Sequence, residues 1–304
     1  MEFGKLPDIS HVDFSLPPDP PGMLEKLRRY NSSDDAAALY IGCTGWGMPE
    51  WVGSIYPAGA KTKDFLRHYG RQFNTIELNT THYRIPSPEM IAKWRSETPD
   101  DFRFCPKVPQ IISHSADLGI SGGALMQFCE VIAQLEDRLG CCFLQLPPYF
   151  GPEKIAVISR FLNHFPNHIP LAVELRHPGW FSDQEAATIL FERMNREGIA
   201  TVITDVAGRR DVLHMRLTTP VVLIRFVGNA LHPTDYSRCD EWVGRLKHWY
   251  DNGLREVYFF THEPDNMLAP QLAQYFWQQA ISRLQVQTRG PNWQDNTQLS
   301  LFGE

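Results

Sequence analysis

The chain has 304 residues, 43% hydrophobic and 21% charged, a balance that supports a sizeable buried core and excludes a fibrous or disordered chain. Acidic residues outnumber basic ones by 35 to 29, and the resulting net charge of -6 excludes a broad electrostatic nucleic-acid binder. The six cysteines form no C-x-x-C pair, the histidines show no zinc-finger spacing, and no apolar run approaches a membrane span.

Residues 1–37 read as an extension lying outside the core. Pro17-Pro18-Asp19-Pro20-Pro21 cannot continue a helix or a central strand, although a short helix is predicted over 23–30. The first residues lack the basic-then-apolar pattern of an export signal, so a cytoplasmic location and reduced thiols are expected. Cys43, Cys105, Cys141 and Cys142 fall in runs that read as buried strands.

From residue 38 onward, short apolar runs alternate with longer amphipathic stretches. Strands are predicted over 39–43, 75–78, 102–107, 141–146, 171–174, 201–205, 221–226 and 256–260. Helices are predicted over 63–72, 87–97, 122–138, 153–165, 183–197, 240–250 and 269–284; after the sixth strand, 206–220 reads as a loop. Ser87 followed by Pro88 gives an N-cap and a proline at the first helical position. Eight strand-then-helix units with right-handed crossovers predict a parallel sheet closed into a single (β/α)8 TIM barrel over 38–285. An open doubly wound sheet is the alternative, but no glycine-rich phosphate turn follows the first strand. Residues 286–304 read as a flexible polar tail.

In such a barrel, functional groups gather at the carboxyl ends of the strands. That rule selects Glu77 and Asn79, Lys107 with His114 beyond it, Gln145, Glu174 with Arg176 and His177, Asp205, Arg225 and His262. Gln145, Glu174 and Arg225 stand inside or at the end of apolar runs, where an amide or a charge needs partners. Lys107, Arg176 and Arg225 suit a phosphate or carboxylate on a small anionic ligand. Asn79, Gln145 and His177 would orient it, and Glu77, Glu174, Asp205 and His114 are the candidates for proton transfer. A divalent metal is a sharper variant, with Glu77, Glu174, Asp205 and His262 as ligands, although no H-x-H pair supports it.

Each of these has a plainer reading. The charges can be an ion-pair network that only closes the barrel top. His114 can cap a helix, and His177-Pro178-Gly179 can be a structural turn. Trp46, Trp51 and Tyr83 can floor a pocket by stacking a ring or sugar, or simply pack in the core.

Seven ordered segments resemble the YecE-like family, a domain of unknown function. They are Ile41-Gly42-Cys43-Thr44-Gly45-Trp46, Glu77-Leu78-Asn79-Thr80-Thr81-His82-Tyr83, and Phe104-Cys105-Pro106-Lys107 with Ser113-His114. Leu144-Gln145-Leu146-Pro147-Pro148, Val173-Glu174-Leu175-Arg176-His177, Leu223-Ile224-Arg225-Phe226 and Val257-Tyr258-Phe259-Phe260 complete the set. The resemblance spans 39–284 and implies the barrel fold without implying an activity. The chain departs from the pattern of many members of that family at His82, where many carry Phe, and at Thr261-His262-Glu263, where many carry Asn residues.

Near the end, Gln298-Leu299-Ser300-Leu301-Phe302 is similar to the short peptides that dock on the bacterial DNA sliding clamp. Gln298 would hydrogen-bond, and Leu299, Leu301 and Phe302 would enter an apolar groove. Two functions follow as expectations: an enzyme acting on an anionic substrate by acid-base or metal-assisted chemistry, or a non-catalytic sensor or scaffold that docks through this tail. A nucleophilic hydrolase is disfavoured, because no G-x-S-x-G elbow is present.

Overall fold

The computed structural model describes residues 4–30 and 36–293. In chain order its elements are α1 (Met23–Arg28), β1 (Ala38–Gly42), α2 (Phe65–Gln72), β2 (Thr75–Leu78), α3 (Thr80–Tyr83) and α4 (Pro88–Glu97). Next come β3 (Arg103–Pro106), α5 (Gln110–Ser113), α6 (Ala124–Ile132), β4 (Cys142–Gln145), α7 (Ile155–His164), β5 (Leu171–Glu174), α8 (Gly179–Ser182) and α9 (Gln184–Arg196). The chain finishes with β6 (Ala200–Asp205), β7 (Val221–Val227), α10 (Pro233–Tyr250), β8 (Glu256–His262), α11 (Ala269–Arg283) and β9 (Gln287–Arg289). All eight predicted strands are present, each within two residues of its expected bounds. Among the described residues no helix is long and apolar enough to cross a membrane.

The fold is mixed α/β. Seven strands form one parallel sheet in the order β4-β5-β6-β7-β8-β1-β9, and β2 pairs with β3 in a separate parallel ladder. The unbroken ring of ladders expected of a TIM barrel is therefore not present: it is interrupted at two seams. At the first, β9 pairs with Ala38–Tyr40 of β1 and takes the edge that β2 would have used. Side chains span the gap there. Asn74 accepts from Ile41 N at 2.7 Å and donates to Leu39 O at 3.0 Å, standing in for a strand peptide. The Tyr69 hydroxyl accepts from Cys43 N and donates to Thr75 O. Gly42 is needed at this seam, since a Cβ there would lie 2.1 Å from Thr75 O. At the second seam, Gly140 N donates to Phe104 O at 2.8 Å and Val108 N to Phe143 O at 2.9 Å.

Local chemistry sets the helix starts. Ser87 accepts from Met90 N, and Asp183 accepts from Glu185 N and Ala186 N, as N-caps do. The helix α10 begins at Pro233, seven residues before the predicted 240, capped by His232. Its first turns bury Asp235 and Arg238 rather than apolar side chains, which removes the periodic signal. Residues 287–289, read from sequence as part of a flexible polar tail, form β9, and Arg289 pairs with Asp101. Leu16, Met23 and Leu27 of the amino-terminal extension are buried in the main core, a correction to its placement outside. Asp19 anchors that segment by accepting from Arg245 and Trp249.

One face of the sheet packs on the helices. The other turns inward, where Cys105, Phe143, Ala172, Val202, Leu223 and Phe260 form a separate apolar cluster. Side chains alternate faces along a strand. Two residues beyond this inner layer, the same face presents Glu77, Lys107, Gln145, Glu174, Thr204, Arg225 and His262 at the strands' carboxyl ends.

Candidate functional site

The inner row converges on two carboxylates. Arg225 donates from Nε and Nη2 to the two oxygens of Glu77, at 2.8 and 2.9 Å, and from Nη1 to Glu174 Oε2 at 3.1 Å. His262 Nε2 and Asn79 Nδ2 each add a hydrogen bond to Glu77 at 2.9 Å. Glu174 accepts from Arg176 Nε at 2.6 Å, Gln145 Nε2 at 2.7 Å and Thr204 Oγ1 at 3.0 Å. Every carboxylate oxygen of the pair therefore accepts at least two hydrogen bonds. Burial opposes ionisation of Glu77, but Arg225 and His262 override it and hold its pKa well below the usual range. Burial acts on Glu174 in the same way and is overcome by Arg176, Arg225 and Gln145, which bring its pKa down to about 2. Both carboxylates are fixed anions.

Lys107 completes the cluster with a different environment. It is 8% exposed, and Arg225, Glu77, Glu174 and Arg176 all act on it electrostatically. Yet its ammonium forms no hydrogen bond or ion pair with any of the described residues. Burial first, then the Arg225 charge, push its pKa down to about 8. Two carboxylates thus face three cations, and the surplus positive charge resides on an amine without an anionic partner.

Above Lys107 lies a histidine pair. Thr81 Oγ1 donates to Lys107 O at 2.7 Å, and His82 Nδ1 donates to Val108 O at 3.2 Å, which ties α3 over the exit of β3. A carbonyl only accepts, so Nδ1 carries the proton and Nε2 is the acceptor of the neutral ring. The His82 and His114 ring centres are 5.9 Å apart. Burial and then Lys107 depress both imidazoles, His82 to about 4. A cavity of about 460 Å³ opens beside them, lined by His82, Tyr83, Gln110, Ile111, His114 and Ser115.

The structure brings Glu77, Asn79, Gln145, Glu174, Arg176, Arg225 and His262 into direct contact, with Lys107 and His114 adjacent. Asp205 is not among them, which corrects its place in the predicted site. Its neighbour Thr204 takes the inner position, paired in register with Arg225, while Asp205 pairs with Phe226 on the opposite face. There Asp205 binds Arg238 at 2.9 Å, Arg210, and Trp242 Nε1 at 2.8 Å. His177 Nδ1 accepts from Gly179 N at 3.0 Å, the structural turn. Nothing in the residue pattern distinguishes Thr204; the strand register identifies it. His82 had one signal, its place just after the second strand.

The metal set does not fit. Asp205 faces away, and the oxygens of Glu77 and Glu174 are already occupied by cationic and amide donors. Among the described residues no three His, Cys, Asp or Glu side chains are grouped to hold an ion. The six cysteines are buried free thiols. The clamp-like segment, Gln298 to Phe302, lies outside the described residues.

Comparisons with known proteins agree with this architecture. The family model described as "Protein of unknown function DUF72" matches residues 40–296. UPF0759 protein YecE of Escherichia coli (strain K12) is 34% identical over 258 residues, covering 79% of this chain and 92% of the relative. UPF0759 protein YunF of Bacillus subtilis (strain 168) is 30% identical over 151 residues, 47% of this chain and 52% of that one. A DUF72 family protein from Enterococcus faecalis V583 superposes with a TM-score of 0.67 at 20% identity, covering 84% of this chain and 100% of its own. Another, from Thermotoga maritima MSB8, gives 0.60 at 24% identity, covering 79% of this chain and 98% of its own. At these identities the two structures carry the fold alone.

Proposed function

The chain belongs to the DUF72 family, and from that premise we propose that its strand-end cluster binds a small anionic substrate, a phosphate or carboxylate, and exchanges a proton with it. In this reading the eight strands form a (β/α)8 barrel with two loosened seams. The hydrogen bonds of Asn74, Tyr69, Gly140 and Val108 across those seams support it, as does the gathering of polar side chains at the carboxyl ends of the strands.

The observation that carries the proposal is Lys107. A buried ammonium normally has a carboxylate partner or gives up its proton. Here the nearby carboxylates are engaged by Arg225, Arg176 and His262, so the site presents a net positive hollow to an incoming anion. Lys107, aided by the charge of Arg176, receives the anionic group. Arg225 is committed to Glu77 and Glu174 and serves as the frame. Glu77 and Glu174, saturated with hydrogen bonds and held ionised, are weak bases; they position the cations. His114 is the better proton-transfer group, because its imidazole is neutral at physiological pH and borders the cavity.

Isothermal titration of the full chain with inorganic phosphate tests this. Phosphate binds the unaltered protein and fails to bind Lys107→Met. Equal binding by both proteins, or binding by neither, overturns the proposal.

A further inference from the structure

We propose that the substrate carries a flat, uncharged aromatic ring on its anionic group, seated in the cavity beside His82 and His114; this rests on the anion site proposed above. Four rings form a continuous edge-contacted ladder at this rim. Tyr83 lies 5.4 Å from His82, His82 lies 5.9 Å from His114, and His114 lies 6.5 Å from Tyr149, centre to centre. The interplanar angles of 75°, 61° and 78° show that the rings are not stacked on one another, and the Lys154 ammonium sits over one face of Tyr149 at 5.0 Å.

Exposure singles the rim out. Tyr83 is 80% exposed, Ile111 63% and Tyr149 59%, the three most exposed large apolar side chains among the described residues. Single exposed apolar residues are ordinary, but Tyr83 and Ile111 line one cavity and Tyr149 meets its His114 edge, a gathering that marks a binding surface. The cavity, at about 460 Å³, has the size of a small-molecule site rather than a protein groove.

Charge selects the occupant. Lys107 and Arg176 act on both imidazoles, so the rings lie beside the positive hollow. Burial first, then the Lys107 charge, keep the histidines unprotonated, and neutral imidazoles and phenols offer apolar faces that stack on a flat partner. A ligand with its anion on Lys107 and its ring against His82, His114 and Tyr83 satisfies both halves. A purely aliphatic anion would leave the aromatic half in water.

Three phosphate monoesters separate the possibilities: methyl phosphate, cyclohexyl phosphate and phenyl phosphate, titrated calorimetrically into the full chain. Phenyl phosphate is expected to bind about tenfold tighter than methyl phosphate, and tighter than the non-planar cyclohexyl ester. Tyr83→Ala and Tyr149→Ala, both at exposed positions that burden the fold little, bring phenyl phosphate down toward methyl phosphate. Equal affinity for methyl and phenyl phosphate overturns the ring site and leaves the anion site standing. Cyclohexyl phosphate binding as tightly as phenyl phosphate also overturns it, because the pocket would then recognise bulk rather than a flat ring. Failure of all three esters to bind overturns both proposals.

Discussion

Arg225 and Glu77 meet as a two-pronged pair, Nε on one carboxylate oxygen at 2.8 Å and Nη2 on the other at 2.9 Å, although 148 positions separate them in sequence. Both are buried, so each would be costly alone. The planar fork of the guanidinium matches the carboxylate, and its third nitrogen reaches Glu174. The pair therefore ties β2 to β7, and through Glu174 to β5. That fixed frame lets the remaining charge, on Lys107, stay unpartnered.

Cutting this pair on one side is expected to be severe. Glu77→Ala strands Arg225, His262 and Asn79, with a cost of about 3–5 kcal/mol in urea denaturation. The double variant Glu77→Leu with Arg225→Met removes both charges and should cost clearly less than the two single changes added together. Additive costs would show that the pair is not coupled.

Lys107 should behave in the opposite way. Lys107→Met takes away a buried charge with no ion-pair partner among the described residues, so the folded state keeps or gains stability near neutral pH. Its folded pKa lies near 8, below the usual 10.5, so the charged amine burdens the fold at low pH and the burden is relieved as pH rises through that window. Anion binding runs the other way: phosphate affinity falls as pH rises past about 8, because the amine loses its proton. Titrations across that range check this, and an affinity that stays flat would assign the anion to another group.

Much of this frame was legible in the sequence. Gln145, Glu174 and Arg225 are isolated polar residues in or at the end of apolar strands, and burial without partners is too costly to be accidental. Asp205 failed the same logic for a physical reason. The strand Ala200–Asp205 is buried on both faces, so it shows no alternation to separate inner from outer residues. Its inner polar residue is Thr204, whose hydroxyl carried no visible charge signal. The strand β9 was missed because it is three residues long and polar, and its bonds to β1 are made by the main chain. Asn74 closes the seam with an amide that reads in sequence as an ordinary loop residue.

Asp205 gives a separation of fold from site. It holds Arg238, Arg210 and Trp242 on the outer face. Asp205→Asn leaves the buried Arg238 paired with Asp235 as its remaining carboxylate among the described residues, and about 2–4 kcal/mol of stability should be lost. Phosphate binding, measured where the variant is still folded, should be retained. Loss of binding in a folded Asp205→Asn protein would return this residue to the site.

Glu263 supplies a pH response that is independent of the anion site. It follows His262 at the end of β8 and is buried, with Oε2 accepting from Ala230 N at 2.8 Å and Oε1 without a hydrogen-bond partner among the described residues. Ala230 and Leu231 both have left-handed backbones, φ 60° and 57°, which non-glycine residues adopt at some cost. The Glu263 carboxyl holds that turn in place. Burial, opposed in part by the Ala230 hydrogen bond and reinforced by the Asp235 charge, raises its pKa from 4.5 to about 7. A carboxyl raised in the fold binds its proton more tightly there than in the unfolded chain. Its contribution to stability is complete below 4.5 and is lost as pH rises through about 7. Glu263→Gln keeps an acceptor for Ala230 N and cannot ionise. The unaltered protein should therefore lose on the order of 3 kcal/mol relative to this variant between about pH 4.5 and 8, followed by urea denaturation. A difference that does not change with pH would mean that Glu263 ionises in the fold as it does in water.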